Sequence, residues 1–228
     1  IFSVLHHTEL IWQEFKDSLT AFNAQKTGSF AGKGHVNKEI TTLIFRYLAK
    51  CRVASHWVAD LSPTEMITQK LNMVKAEVVV RNILAGSTAK KFGLQEGVVL
   101  DYPLVEFYYK DDALADPFMS DDQAVMMKVA THAQLKEMKD LALEINHGLK
   151  EFFLEANIDL VDFKIELGRD RSGVLFLADE ITPDTCRLWD RATGDKLDKD
   201  RFRRDLGFVE QRYNEVLDRV KLVWGSRL

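Results

Sequence analysis

Between residues 133 and 156 the apolar side chains Leu135, Met138, Leu141, Ala142, Ile145, Leu149, Phe152 and Phe153 recur every three or four positions. That spacing places them on one stripe of a 3.6-residue helix and predicts the longest helix of the chain. The same period marks a helix through Ile40, Leu43, Ile44, Tyr47 and Leu48 to Lys50, with Asn37 as its expected N-cap, and a last one through Phe208, Val209, Tyr213, Val216, Leu217 and Val220. Alternation with period two takes over in residues 158–168. There Val161, Phe163, Ile165 and Leu167 share one face and Asp162, Lys164 and Glu166 the other. Shorter runs at 9–15, 53–58, 64–71, 77–83 and 174–180 read as further strands.

Residues 16–33, rich in Gly, Ser, Thr and Asn, read as a long loop with room for function, and 72–76 as a hinge between two lobes. Strands and helices do not alternate strictly, so the pattern predicts an α+β fold rather than a doubly wound sheet.

Composition narrows the function classes. At 46% apolar and 29% charged over 228 residues, the chain can bury a core, which excludes wholesale disorder. The 31 Lys and Arg against 35 Asp and Glu leave a net charge of −4 and no general attraction for nucleic acid or anionic lipid. No apolar run approaches the roughly 18 residues needed to cross a bilayer, and no signal-peptide pattern opens the chain. Cys51 and Cys186 show no metal-binding spacing, so a reduced, cytoplasmic setting is expected, without nucleic-acid or membrane partners.

Three segments carry candidate chemistry. Ser172-Gly173 suits a two-residue hairpin turn, which would set Glu166 opposite Asp179; like charges so placed call for solvent or a divalent cation between them. In 77–87 a strand leads through Gly86 to Ser87, the expected N-cap of a short helix ending at Gly93, where Arg81 would help hold an anion. In 179–189, Thr182 or Asp184 would cap a helix stiffened by Pro183, with Arg187 on its first turn. Each also reads as ordinary structure: a half-solvated hairpin, a capped helix, a surface arginine. Cys186 reads as a bystander thiol, residues 199–205 as a salt-bridged helix face, and Lys110 with Asp116 as members of an acidic turn. Lys33, between Gly32 and Gly34, is a weaker anion candidate.

Taken together, EFKDSLTAFN (14–23), GKGHVN (32–37), EVVVRNILAGS (77–87), VEFYYKDDALADP (105–117), LVDFKIELGRD (160–170), ADEITPDTCRLWD (178–190) and DKDRFRRDLG (198–207) resemble the SAICAR synthetase family over nearly the whole chain. The resemblance implies an ATP-dependent ligase that joins L-aspartate to the carboxylate of carboxyaminoimidazole ribotide. It implies Glu166 and Asp179 as the carboxylates of the Mg2+-nucleotide and Arg81, Ser87 and Arg187 as holders of the ribotide. Lys110, Asp116, Asp162 and Lys164 would be active-site members, Lys110 also toward the nucleotide. Lys33, Thr20 and Asn23 would lie at the substrate end of the cleft. The implied fold has a β-rich N-terminal lobe like a kinase small lobe, here residues 1–75, and an α+β lobe over 76–228. Family members begin with a Gly-rich element whose lysines reach the ATP phosphates; this sequence starts at Ile1 without it. A non-catalytic nucleotide-binding relic and a small-molecule phosphotransferase are the rival readings, and the oligomeric state stays open, a homo-oligomer included.

Overall fold

The computed structural model describes residues 1–22 and 25–226. The chain opens with β1 (Phe2–Val4), β2 (His7–Glu14), β3 (Ser18–Ala21) and β4 (Lys26–Ser29), then α1 (Lys33–Lys50), β5 (Trp57–Ser62), β6 (Glu65–Gln69) and β7 (Asn72–Ile83). It continues through α2 (Gly86–Phe92), β8 (Val99–Tyr109), β9 (Phe118–Met119), α3 (Asp121–Met126), α4 (His132–Glu155), β10 (Ile158–Arg169), β11 (Leu175–Ala178), β12 (Cys186–Asp190), α5 (Asp200–Arg203) and α6 (Val209–Gly225).

These strands form three sheets. A four-stranded sheet has the order β1-β2-β6-β5; a six-stranded sheet has the order β11-β10-β7-β8-β9, with β12 added alongside β10; β3 and β4 make a separate hairpin. Helix and strand are mixed, and all the pairings within these sheets are antiparallel. The apolar stripe of α4 covers one face of the large sheet, and Met138, Ile145, Leu149 and Phe152 are fully buried against Val78, Val80, Phe163 and Ile165. Helix α1 packs on α4 and α6 behind it. With this face sealed by hydrocarbon, the alternating charges of β7 and β10 are turned to the other. No helix among the described residues is long and apolar enough to cross a membrane.

Several expectations change. The 16–33 loop contains the β3–β4 hairpin. The run expected as a strand at 53–58 breaks up: Val53 drops into the core, Ser55 bridges Leu177, and β5 starts only at Trp57. The expected hinge, 72–76, is the first part of one continuous strand, because Asn72 and Met73 pair with Arg169 and Gly168 of the large sheet; the chain leaves the small sheet just before, at residues 70–71.

Helix α1 begins four residues ahead of Asn37. Asp17 accepts hydrogen bonds from the N–H groups of Gly32 (3.1 Å) and Gly34 (2.9 Å) and so caps the helix from a distance. Gly34 is required there, since a Cβ would lie 2.4 Å from the Phe15 carbonyl oxygen.

Candidate active site

The polar face of the large sheet is the floor of a cleft of about 720 Å³, roofed by residues 13–16 and the β3–β4 hairpin and walled by the segments around Lys33, Asp184 and Lys199. Thr20, Lys33, Arg81, Ser87, Asp116, Asp162, Lys164, Asp179 and Arg187 all line it. Lys110 and Glu166 join through Glu77, which also lines it. Asn23 lies outside the described residues.

One end is built on arginines. Register sets Asp162 of β10 directly opposite Arg81 of β7 and, on its other side, opposite Arg187 of β12. Asp162 Oδ2 accepts from Arg81 at 2.6 Å and from Arg187 at 2.8 Å. Glu106 receives Arg81 Nε at 2.7 Å, and Asp200 receives Arg187 Nε at 3.0 Å. Burial works against each guanidinium charge, but the carboxylates outweigh it and raise both pKa values. The two cations are therefore fixed in place while their remaining N–H groups border the cleft. Arg81 Nη2 also reaches the Ser87 hydroxyl at 3.5 Å.

The other end mixes lysines and carboxylates. Glu166 stands opposite Glu77, a like-charge cross-strand pair, and two ammonium groups relieve it. Lys110 lies 2.7 Å from Glu166 and 3.2 Å from Glu77; Lys164 lies 2.9 Å from Glu77 and 3.5 Å from both Glu166 and Asp179. Burial opposes the Lys164 charge, but Asp179, Glu77 and Glu166 together raise its pKa.

The structure corrects the local geometry of all three candidate segments. The β10–β11 register is one residue off the two-residue turn: Glu166 pairs with Ala178, because Asp170 accepts from the N–H groups of Ser172 and Val174 and staples a longer loop. Asp179 then adopts a left-handed φ of 63° just past the strand, and its carboxylate still reaches Lys164 beside Glu166. Ser87 is not a cap; Ala85 holds the N-cap position of α2 without a side-chain bond, and Ser87 is inside the first turn. No helix follows Pro183. Thr182 closes a turn by taking the N–H groups of Thr185 and Cys186, and Arg187 belongs to a strand.

The remaining candidates fall into place around these ends. Lys33 finds Asp184 at 2.6 Å, both largely buried, so its anion is internal. Asp116 accepts from the Asp111 N–H at 2.9 Å. Burial pushes the Cys186 thiol up, which keeps it protonated and unreactive. The charges at 199–205 do not form a solvated face: Asp200 is buried and holds Arg187, Arg203 and Arg204, while Lys199 and Arg203 border the cleft. Sequence reasoning gave no site role to Glu77, Glu106, Glu180, Lys199, Asp200 and Arg203, and read Asp184 only as a possible helix cap. For Glu77 and Glu106 the alternation of β7 and β8 carried the signal; for the others no periodicity did.

A profile of the SAICAR synthetase family matches residues 1–220. The chain belongs to the SAICAR synthetase family. It is 48% identical over 212 residues to the phosphoribosylaminoimidazole-succinocarboxamide synthase of Bacillus mycoides, covering 93% of this chain and 89% of that protein. Identity to the enzyme of the same name from Anoxybacillus flavithermus is 48% over 211 residues, 92% and 88% of the two chains. The crystal structure of the Ehrlichia chaffeensis synthase superposes with a TM-score of 0.93 at 39% identity, covering 96% and 94%. A SAICAR synthetase solved in complex with ADP gives 0.91 at 40% identity, covering 93% and 91%. Family membership makes this chain an ATP-dependent ligase of purine biosynthesis.

Proposed function

We propose that the cleft joins L-aspartate to the carboxylate of carboxyaminoimidazole ribotide at the expense of ATP, with each end of the sheet face serving one reactant. The reading rests on one observation: a single polar face presents two braced arginines at one end and a carboxylate–lysine cluster at the other. The relatives at 48% identity bear the name of that reaction, and one structural neighbour was solved with ADP.

A carboxylate is a poor electrophile, so the γ-phosphoryl group of ATP must first turn it into an acyl phosphate that the amine can attack. Both steps crowd anions together, and catalysis is then largely a matter of positioning and charge neutralisation. Arg81 and Arg187, with the Ser87 hydroxyl, hold the ribotide phosphate in this account. Lys110 and Lys164 face the nucleotide phosphates, and Asp116, Thr20 and Lys33 close the cleft around the reacting groups. Asp162 orients both arginines, since its two oxygens accept from their guanidinium groups.

Glu166 and Asp179 suit Mg2+. They are hard oxygen donors that share one ammonium, the place where a cation between them is stabilised. No group of three or more metal-ligating side chains is arranged for a metal among the described residues, so the ion would lean on these two and on phosphate oxygens. Mg2+ held there would neutralise charge developing on the transferring phosphoryl group.

We further propose that the small sheet and the β3–β4 hairpin act as a kinase-like small lobe over the nucleotide. The free thiols of Cys51 and Cys186 accord with a cytoplasmic setting. The test of the reaction is product analysis of the protein with ATP, Mg2+, aspartate and the ribotide. Succinocarboxamide and phosphate should appear only when both acceptors are present. Phosphate release without aspartate and ribotide, or a phosphorylated alcohol as product, would contradict the ligase assignment.

A further inference from the structure

Asn37, on the second turn of α1, lines the cleft and is 1% exposed. Its Nδ2 donates to Asp184 Oδ2 at 2.9 Å. Lys33 and Lys199 hold the Asp184 carboxyl in its ionised form against the effect of burial, so that oxygen can only accept and the orientation of the Asn37 amide is settled. Asn37 Oδ1 is left as the only buried side-chain oxygen without a partner among the described residues. A buried acceptor left unmet is costly, which points to a donor that arrives from outside.

Glu180 lies on the same wall. Among the described cleft carboxylates that are buried or half-buried, it alone takes part in no ion pair or hydrogen bond through its side chain. Glu77, Asp162, Asp179 and Asp184 are each engaged by a lysine or arginine, and Asp116 by a backbone N–H. The cations nearest Glu180 are committed elsewhere, Lys33 to Asp184 at 2.6 Å and Lys164 to Glu77 at 2.9 Å. One unengaged carboxyl group and one unengaged amide oxygen, both beside Asp184, can receive two hydrogens of a single donor, which an ammonium group supplies and a hydroxyl, with one hydrogen, does not. Lys199 and Arg203 border the same cleft and complement anionic groups.

We propose that Glu180 and Asn37 Oδ1 receive the α-ammonium group of the amino-acid substrate, with Lys199 and Arg203 facing its carboxylates. This rests on the reading of the chain as an aspartate-using ligase and adds to it the residues that recognise the amine.

The test compares L-aspartate with succinate, the same dicarboxylate without the amine, in the wild type and in Glu180→Gln and Lys199→Met. Glu180→Gln breaks no existing contact. It should raise the KM for aspartate about tenfold or more and leave the inhibition constant of succinate within about twofold. Lys199→Met should weaken both ligands together. A parallel loss of aspartate and succinate in Glu180→Gln, or no loss of either, overturns the amine site. Absence of aspartate-dependent turnover in the wild type would instead refute the ligase reading. In that case thermal shifts with the two ligands still decide the amine site, which predicts a preference for aspartate that Glu180→Gln abolishes.

Discussion

Arg187 lies across Gly86 so closely that a methyl group at residue 86 would sit 2.5 Å from the Arg187 Nη2. Gly86 is also left-handed, at φ 62°. The glycine at the start of α2 thus serves two needs, a backbone turn that a side chain resists and a surface on which a guanidinium can rest.

Gly86→Ala should therefore do more than strain the backbone by about 1 kcal/mol. It should displace Arg187 and raise the KM for the ribotide about tenfold, with little change for ATP. Steady-state kinetics on the folded variant check this. An unchanged ribotide KM would show that the arginine acts from another position.

Asp200 is the brace behind Arg187, and against the effect of burial Arg187 and Arg203 pull its pKa down to about 2. A depressed carboxylate stabilises the fold above its unfolded pKa, near 4, and loses that contribution as pH falls through about 2. Asp200→Asn should cost about 3 kcal/mol at pH 7, since it leaves buried arginines unpaired. The gap to the wild type should narrow below pH 4 in urea melts at pH 7 and pH 2.5. A gap that widens in acid would mean that Asp200 is not the group bearing the charge.

Asp179 behaves differently, because burial, and then Glu166, raise its pKa and only Lys164 and Lys110 oppose them. Asp179→Asn should leave the unliganded protein as stable as before, or more stable by a few tenths of a kcal/mol. It should abolish most turnover and shrink the thermal shift produced by Mg2+-ATP. Melting curves with and without Mg2+-ATP, beside a turnover assay, give the answer. Near-normal turnover with an undiminished shift would remove Asp179 from the metal site.

What could be read from sequence follows physical lines. Helix α4 was legible because its 3.6-residue stripe is long, and its structure adds a capping box of Thr131 and Gln134. The charged face of β10 was legible because one side of the sheet is sealed by that helix. The β3–β4 hairpin was not: SLTA and KTGS carry little apolar pattern, and Phe202, 174 residues beyond Gly28, closes over that glycine. The hairpin register after β10 failed on a side chain, Asp170, whose staple adds residues to the turn. Most residues named by the resemblance line the cleft even though the local elements around Ser87 and Arg187 were misread: Arg187 is set by strand register, and Ser87 sits inside the first turn of α2.

The proposed division of the sheet face between a ribotide end and a nucleotide end meets its most direct test at Arg187. The deciding measurement is the pair of KM values, for the ribotide and for Mg2+-ATP, in Arg187→Ala against the wild type. Asp162 keeps its bond to Arg81 in that variant, so the sheet face persists. Loss of one charged contact worth roughly 1.5–3 kcal/mol should raise the ribotide KM by about tenfold or more and leave that for Mg2+-ATP nearly unchanged. Equal weakening of both would show that the two ends are not separate and that Arg187 serves the nucleotide.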